Sequence, residues 1–440
     1  MNRPPKDKWA RLAALRPLPR AADPAEAARD VGHQAVYPAS GDALAELVGG
    51  ERVRNHFGEF LRVQRWYSEP AERAPRGAAL HVLAPDSPTA AENISQWLFL
   101  DTETTGLAGG TGTYAFLIGL AWWDSGGLRV EQLFMRDFDE EHSLLLGLAE
   151  RLAERRVLVT FNGKTFDWPL LETRLRMTRQ IKVQPPVAHL DLLHPARQVW
   201  RMRLGTVRLA ELERSVLGFD RGPDLWSQMI PQMYFDFLRR GKAAAPPLAD
   251  VFRHNQSDLR GLATLAGKMI EMCAAPEKVE AEPLDLFGLS RLLRNRGERA
   301  QARHLYERAL REGLPGALDR AARRELAALA KRDGDLGRAV GLWEELSGDS
   351  GEQRGGEAQD LFSLEAYEQL AIFYERRARQ PERAAELTRE ALAALGGRSA
   401  LDAFSVRRAR LAARLTTRLG RLMRRADMPG RAQGGLAAGS

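Results

Sequence analysis

The chain changes its hydrophobic rhythm twice. Between Trp97 and Leu193, short apolar runs alternate with segments of helical spacing, and on either side that alternation is absent. Trp97-Leu-Phe-Leu is apolar, is closed by polar residues, and predicts a buried strand ending at Asp101. Ala108-Gly-Gly-Thr-Gly-Thr113 reads as a flexible connection. Tyr114–Trp123 predicts a second strand, Asp124–Gly127 a hairpin turn and Leu128–Met135 a third strand. Strands joined by short links become antiparallel neighbours. Asp139–Ala153 then carries Leu144, Leu145, Leu148 and Leu152 at helical spacing. Val157–Phe161 predicts a fourth strand, which a preceding helix allows to pair in parallel. Asn162-Gly163 is a turn, and Phe166–Leu170 opens a helix with Pro169 in its first turn. Val187–Leu193 reads as a short strand or a helix entry. Helices broken near Gly205-Thr206 and Gly222-Pro223 follow. A last helix over about Leu248–Met272 packs through Leu259, Leu262, Leu265 and Met269. The expected class is α/β, a mixed sheet with flanking helices.

The flanks read differently. Met1 to about Asp30 mixes Arg, Lys, Pro and Ala without period and suggests a basic, mobile arm. Gly41–Tyr67 suggests small helices, from Leu44, Leu47, Val48, Phe57, Phe60 and Leu61, and Leu80–Leu83 a short strand. Residues 1–95 are expected to be a partly disordered extension and 96–275 the α/β domain. After a Pro/Glu-rich stretch at Ala274–Pro283, strands cease. Ala302, Ala339 and Ala384 occupy matching places in similar helical wordings, at offsets of 37 and 45 residues. The offsets bracket loop-lengthened copies of a unit of roughly 34 residues, with Ser347–Gln359 as an insert. The region 284–426 is therefore expected to be an all-α array of tetratricopeptide-like helical repeats, able to hold a protein partner on a concave face. An unrelated helical bundle is the alternative. Residues 427–440 are expected to be a flexible tail.

Composition narrows the classes. Of 440 residues 44% are hydrophobic and 28% charged, which suits globular domains. A single cysteine, Cys273, excludes an internal disulfide and fits a reducing, cytoplasmic setting. No apolar run approaches the ~18 residues of a membrane span, and the N-terminus lacks the apolar core of an export signal. The net charge of +7 is compatible with a polyanionic partner, and equally with an Arg-rich background. Arg407, Arg408, Arg414, Arg418 and Arg421 can line one helix face toward nucleic acid, or belong to a solvated capping helix.

Chemistry concentrates in three places. Asp101 and Glu103 are two apart on a strand and project to one side. Such acids raise each other's pKa unless a cation lies between them, and carboxylates suit Mg²⁺ or Mn²⁺. Asp167 begins a helix beside a strand's carboxyl end, where α/β sheets build their sites, although an aspartate cap is the common alternative. His254 and Asp258 are four apart on one helix face.

Taken together, Asp101-x-Glu103, Asn162-x-x-x-Phe166-Asp167 and His254-x-x-x-Asp258 resemble the three ordered motifs of DEDD 3′–5′ exonucleases, which have a ribonuclease-H-like fold. Phe161-Asn-Gly-Lys-x-Phe-Asp-x-Pro-Leu170 and Asp191-Leu-Leu-His-Pro-x-Arg197 are similar to the bacterial YprB-like ribonuclease-H-like domain. The resemblance covers about Trp97–Met272. It implies that Asp101, Glu103, Asp167 and Asp258 bind two ions, Mg²⁺ or Mn²⁺, for hydrolysis of phosphodiester bonds in single-stranded DNA or RNA. It places Thr105, Gly106 and Leu107 under the terminal nucleotide. Asn162, Lys164 and Phe166 become candidates for substrate contact. Trp168 is read as core. The third motif departs from the family's Tyr-x-x-x-Asp and His-x-x-x-x-Asp forms, because a histidine stands at the tyrosine spacing. His254 is the candidate water-activating base, ahead of His142 and His189. The alternative function is a nucleic-acid-binding or protein scaffold with an inactive nuclease fold.

Overall fold

The computed structural model describes residues 40–68, 80–83, 85, 93–106, 112–124, 126–218, 227–348, 361–395 and 405–426. The N-terminal arm, Leu107, most of the glycine-rich connection, the Gly222-Pro223 break, most of the insert after Ser347 and the tail lie outside them.

Seven strands form one mixed sheet: β1 (Glu51–Asn55), β2 (Gly58–Tyr67), β3 (Trp97–Thr104), β4 (Ala115–Asp124), β5 (Gly127–Phe134), β6 (Val157–Thr160) and β7 (Ala188–Asp191). Their order is β1-β2-β5-β4-β3-β6-β7. The meander β3-β4-β5 is antiparallel, and β6 joins β3, and β7 joins β6, in parallel. Both follow from the connections, short turns in the first case and intervening helices in the second. β4 lies at the centre, and all but its last residue are buried, as a strand covered on both faces requires.

Two expectations for the N-terminal flank are corrected. Among the described residues of Gly41–Tyr67, the helix ends at Val48 (α1, Ser40–Val48), while Phe57, Phe60 and Leu61 belong to a hairpin that extends the sheet through β2–β5 pairing. The two aromatic residues and the leucine satisfy a strand as well as a helix. The turn decides it: Asn55 Oδ1 accepts the Phe57 N–H at 3.0 Å, and Gly58 takes φ 134°. Leu80–Leu83 is a helical turn and not a strand, since four apolar residues carry no period that distinguishes the two.

Helices α2 (Glu141–Glu154) and α3 (Asp167–Thr178) contribute Leu144, Leu145, Leu148, Leu171 and Leu175 to a core shared with Leu98, Leu100, Phe116 and Ile118 of the sheet. α4 (Leu193–Leu204), α5 (Ile230–Arg240) and α6 (Ala245–Ala274) follow. Tyr234 of α5 stacks on Phe116 at 4.1 Å.

The chain divides into two compact units. The sheet unit holds the described residues through 68, those from 93 to 191 and those from 212 to 267. The other unit is helical throughout its described length. It contains α4, α7 (Pro283–Asn295), α8 (Arg299–Glu312), α9 (Gly316–Arg332), α10 (Leu336–Gly348), α11 (Leu361–Arg376), α12 (Pro381–Leu395) and α13 (Ser405–Ala426). Its helices pack in chain order, α7 on α8, α9 on α10, α11 on α12 and α12 on α13. Ala302, Ala339 and Ala384 lie in α8, α10 and α12, and all three are fully buried. A methyl at each of these places lets neighbouring backbones approach. The fold is thus a ribonuclease-H-like mixed sheet with flanking helices, and a second unit made of helices.

Candidate metal centre

β3 is the strand at which the sheet changes sense, antiparallel on its β4 side and parallel on its β6 side. The carboxyl ends of β3, β6 and β7 therefore share one edge, and ligand sites form at such places. Asp101 and Glu103 end β3 with side chains on the face that carries Phe99. Asp101 stands opposite Gly119 of β4, and Gly119 stands opposite Gln132 of β5.

α6 crosses this face. Its buried residues Phe252, Asn255, Leu259 and Leu262 recur at intervals of three and four. That register delivers His254 and Asp258 to the strand end. His254 Nε2 lies 3.2 Å from Asp258 Oδ2 and 3.9 Å from Glu103 Oε1. Donor atoms of Glu103, His254 and Asp258 all fall within 4.8 Å of one another. Asn255 Nδ2 donates to Asp101 Oδ2 at 2.7 Å.

Asp167 reaches the same edge from the opposite face. It is the first residue of α3, directly after Phe166 at the N-cap position. Thr102, which alternates to that face, donates its hydroxyl to Asp167 Oδ1 at 2.5 Å. The turn before it is held by Asp191 at the end of β7, whose two oxygens accept the backbone N–H groups of Asn162 at 2.7 Å and Lys164 at 3.1 Å. Asn162 sits at φ 70°, which an asparagine tolerates better than most residues. A Cβ on Gly163 would lie 2.5 Å from Thr160 Cβ, so the turn closes only on glycine.

The electrostatics is that of crowded acids. Burial first, then the negative charges of Asp258, Glu103 and Asp167, raises the Asp101 carboxyl well above the usual carboxylate range, while the Asn255 bond lowers it. Burial likewise raises Asp167. The Thr102 bond and backbone N–H groups pull it back, and Asp191 pushes it up. A dication at this edge would offset that repulsion, and carboxylates with one imidazole are a donor set for Mg²⁺ or Mn²⁺. The residues present fit the ions.

The other sequence-predicted residues are placed as follows. Thr105 closes the β3–β4 connection, donating its N–H to Tyr114 O and accepting the Tyr114 N–H on Oγ1. Gly106 accepts the Thr104 hydroxyl on its carbonyl at 2.9 Å. Lys164 is exposed, and Phe166 is 58% exposed directly beside Asp167. Trp168 packs on the core, as expected. His142 packs against Phe57 and is not in the acid cluster. His189 Nε2 meets Thr160 Oγ1 at 2.8 Å. Burial, then Lys164, takes its pKa down to about 4 against the pull of Asp191. It is neutral at pH 7 and contacts the last residue of β6.

Sequence reading missed Asn255, Gln132, Thr102 and Asp191 as parts of this site. Two signals were visible. Gly119 interrupts an otherwise apolar central strand, which marks a close approach, and Gln132 places an amide inside β5. Neither says what fills the space.

A family model described as RNase_H superfamily matches residues 98–270. The chain is 32% identical over 257 residues to the "Uncharacterized protein YprB" of Bacillus subtilis (strain 168), covering 58% of this chain. It spans 61% of that relative's length. Among solved structures, the family B DNA polymerase of the archaeon Pyrobaculum calidifontis aligns with a TM-score of 0.32 and 14% identity, over 46% of this chain and 29% of the polymerase. That alignment is too loose to carry an argument.

Proposed function

We propose that the chain is a metal-dependent nuclease of the DEDD type. It would remove nucleotides 3′ to 5′ from single-stranded DNA or RNA, with Asp101, Glu103, Asp167 and Asp258 holding two Mg²⁺ or Mn²⁺ ions. The observation that supports this most directly is the meeting of acids from β3, α3 and α6 at one sheet edge, where they raise the Asp101 carboxyl instead of relieving it. Crowded buried acids without a cation destabilise a fold, so a purely structural role has no physical benefit to offer. When bound, such ions activate a water and stabilise the charge on the departing oxygen of a phosphodiester.

The protein's own groups would then divide the work. His254 Nε2, beside Glu103 and Asp258, can accept the attacking water's proton. Thr102 holds Asp167 in place. Thr105 and Gly106 form the floor beneath the terminal nucleotide. Phe166, with more than half its ring in solvent, can stack a base, a contact that supplies about 1–3 kcal/mol. Exposed Lys164 can meet a phosphate, and Asn162 sets the turn that carries both. The helical unit would serve as a tetratricopeptide-like platform for a protein segment.

The test is hydrolysis of end-labelled single-stranded DNA and RNA with Mn²⁺ or Mg²⁺, comparing wild type with Asp101→Ala. A ladder shortening from the 3′ end, lost in Asp101→Ala and in excess EDTA, is expected. Equal digestion by both proteins would end the proposal.

A further inference from the structure

We propose that Asn255 is a positioning residue for Asp101, and that a chain of amides running one way through the sheet unit fixes which end of Asn255 meets the carboxylate. This rests on the metal-binding reading above and adds the device that aims one of its ligands.

The chain has four links. The Tyr67 hydroxyl donates to Gln256 Oε1 at 3.1 Å, and Gln256 Nε2 donates to Gln132 Oε1 at 2.7 Å. Gln132 Nε2 donates to Asn255 Oδ1 at 2.8 Å, and Asn255 Nδ2 donates to Asp101 Oδ2 at 2.7 Å. An isolated amide can present either end to a neighbour. This one cannot, because Gln132 Nε2 also donates to the Phe252 carbonyl at 2.9 Å, an oxygen that only accepts. The main chain thus fixes Gln132, Gln132 fixes Asn255, and Asn255 turns its donor toward Asp101. Oδ2 of Asp101 is engaged, which leaves Oδ1 for an ion. Because the amide is uncharged, it orients the carboxylate without neutralising it.

The surroundings are built for this contact. Gln132 and Asn255 are fully buried, where an unmatched amide is costly. A Cβ at position 119 would lie 2.2 Å from Asn255 Oδ1, so only glycine admits the amide between Asp101 and Gln132.

The test is calorimetric titration of the full chain with Mn²⁺, each variant first shown to melt cooperatively. Gln132→Glu, titrated at a pH that ionises the introduced carboxylate, can only accept. It turns Asn255 around and aims an oxygen at Asp101. Partners of metal ligands typically change affinity by about 10–100-fold, so Mn²⁺ binding is expected to weaken about ten-fold although a negative charge has been added nearby. Charge alone would tighten it, and unchanged or tighter binding overturns the proposal. Asn255→Ser, which leaves Asp101 unheld, is expected to weaken binding to a similar degree, and a wild-type affinity there overturns it too. Asp101→Asn separates the two levels. If wild type shows no saturable Mn²⁺ binding, or Asp101→Asn binds as wild type does, the metal reading itself fails. If Asp101→Asn loses the ion while Asn255→Ser and Gln132→Glu keep it, only the amide chain fails.

Discussion

Two regions of the molecule bury acids, and they treat them in opposite ways. At the β3 edge Asp101 is surrounded by other acids and an uncharged amide. In the helical unit Glu375 of α11 faces Arg418, Arg421 and Arg425 of α13, with bonds of 3.0 Å and 2.8 Å from Arg421. Burial pushes both carboxyls up. At Glu375 the arginines more than reverse it, and its pKa falls below the ordinary value. At Asp101 the neighbouring acids add to it. Glu365 and Glu368 extend the latch, meeting Arg407 at 2.9 Å and Arg414 in two bonds of 2.7 Å. Of the five arginines that sequence reading offered to nucleic acid, these contacts engage Arg407, Arg414, Arg418 and Arg421 with glutamates. At Glu375 the charges are paired within the protein, whereas at Asp101 the neighbouring acids add to the burden, which is the contrast on which the metal-binding proposal rests.

The largest expected effect separates the two by activity. Asp101→Ala should lower Mn²⁺-dependent hydrolysis by about a thousand-fold or more, since metal and acid–base groups act as a unit. Glu375→Gln should leave turnover per folded molecule unchanged, measured under single-turnover conditions. Loss of activity in Glu375→Gln would break the comparison.

Next in size is stability. Glu375→Gln leaves guanidinium groups facing a neutral amide and should cost the helical unit about 1–3 kcal/mol, read as a lower denaturant midpoint.

Asp101→Asn should do the reverse in EDTA. Removing the repelled charge is expected to raise the melting temperature by about 3–8 °C, and saturating Mn²⁺ should favour the wild type. The sign with pH follows. Asp101 is raised from 3.8, so its contribution to stability is whole below that value and is lost as pH rises through the folded value. Glu375 is lowered from 4.5, so its contribution is present above that value and is lost as pH falls through the folded one. The Asp101→Asn advantage should therefore be larger at pH 8 than at pH 5. A constant difference would mean that Asp101 is not the titrating group.

The smallest effect is that of salt. Screening within about 3 Å at 1 M weakens attraction and repulsion alike. In EDTA, added salt should speed hydrogen exchange in α13 and slow it in β3, by opposite amounts of about two-fold, read by peptide mass spectrometry.

Much of the sheet was legible. The apolar runs that predict strands ending at Asp101, Trp123, Met135 and Phe161 give strands that end at Thr104, Asp124, Phe134 and Thr160, and the helix at Asp167 follows from Pro169. The hairpin of β1 and β2 was not, because Phe57, Phe60 and Leu61 fit either period and an asparagine turn decides between them. Among the described residues, no helix is long and apolar enough to cross a membrane.

The sequence by itself determined the kinds of element between Trp97 and Leu193, the order of the acids and the faces on which Asp101 with Glu103, and His254 with Asp258, would stand, because periodicity is a local property. Only the tertiary structure decided that those faces meet, that Gly119 makes room for an amide between strand and helix, and that Arg407, Arg414, Arg418 and Arg421 pair with glutamates. Charge has no meaning along a chain until folding sets its neighbours, and the field at a carboxylate is the sum over groups that the sequence leaves far apart.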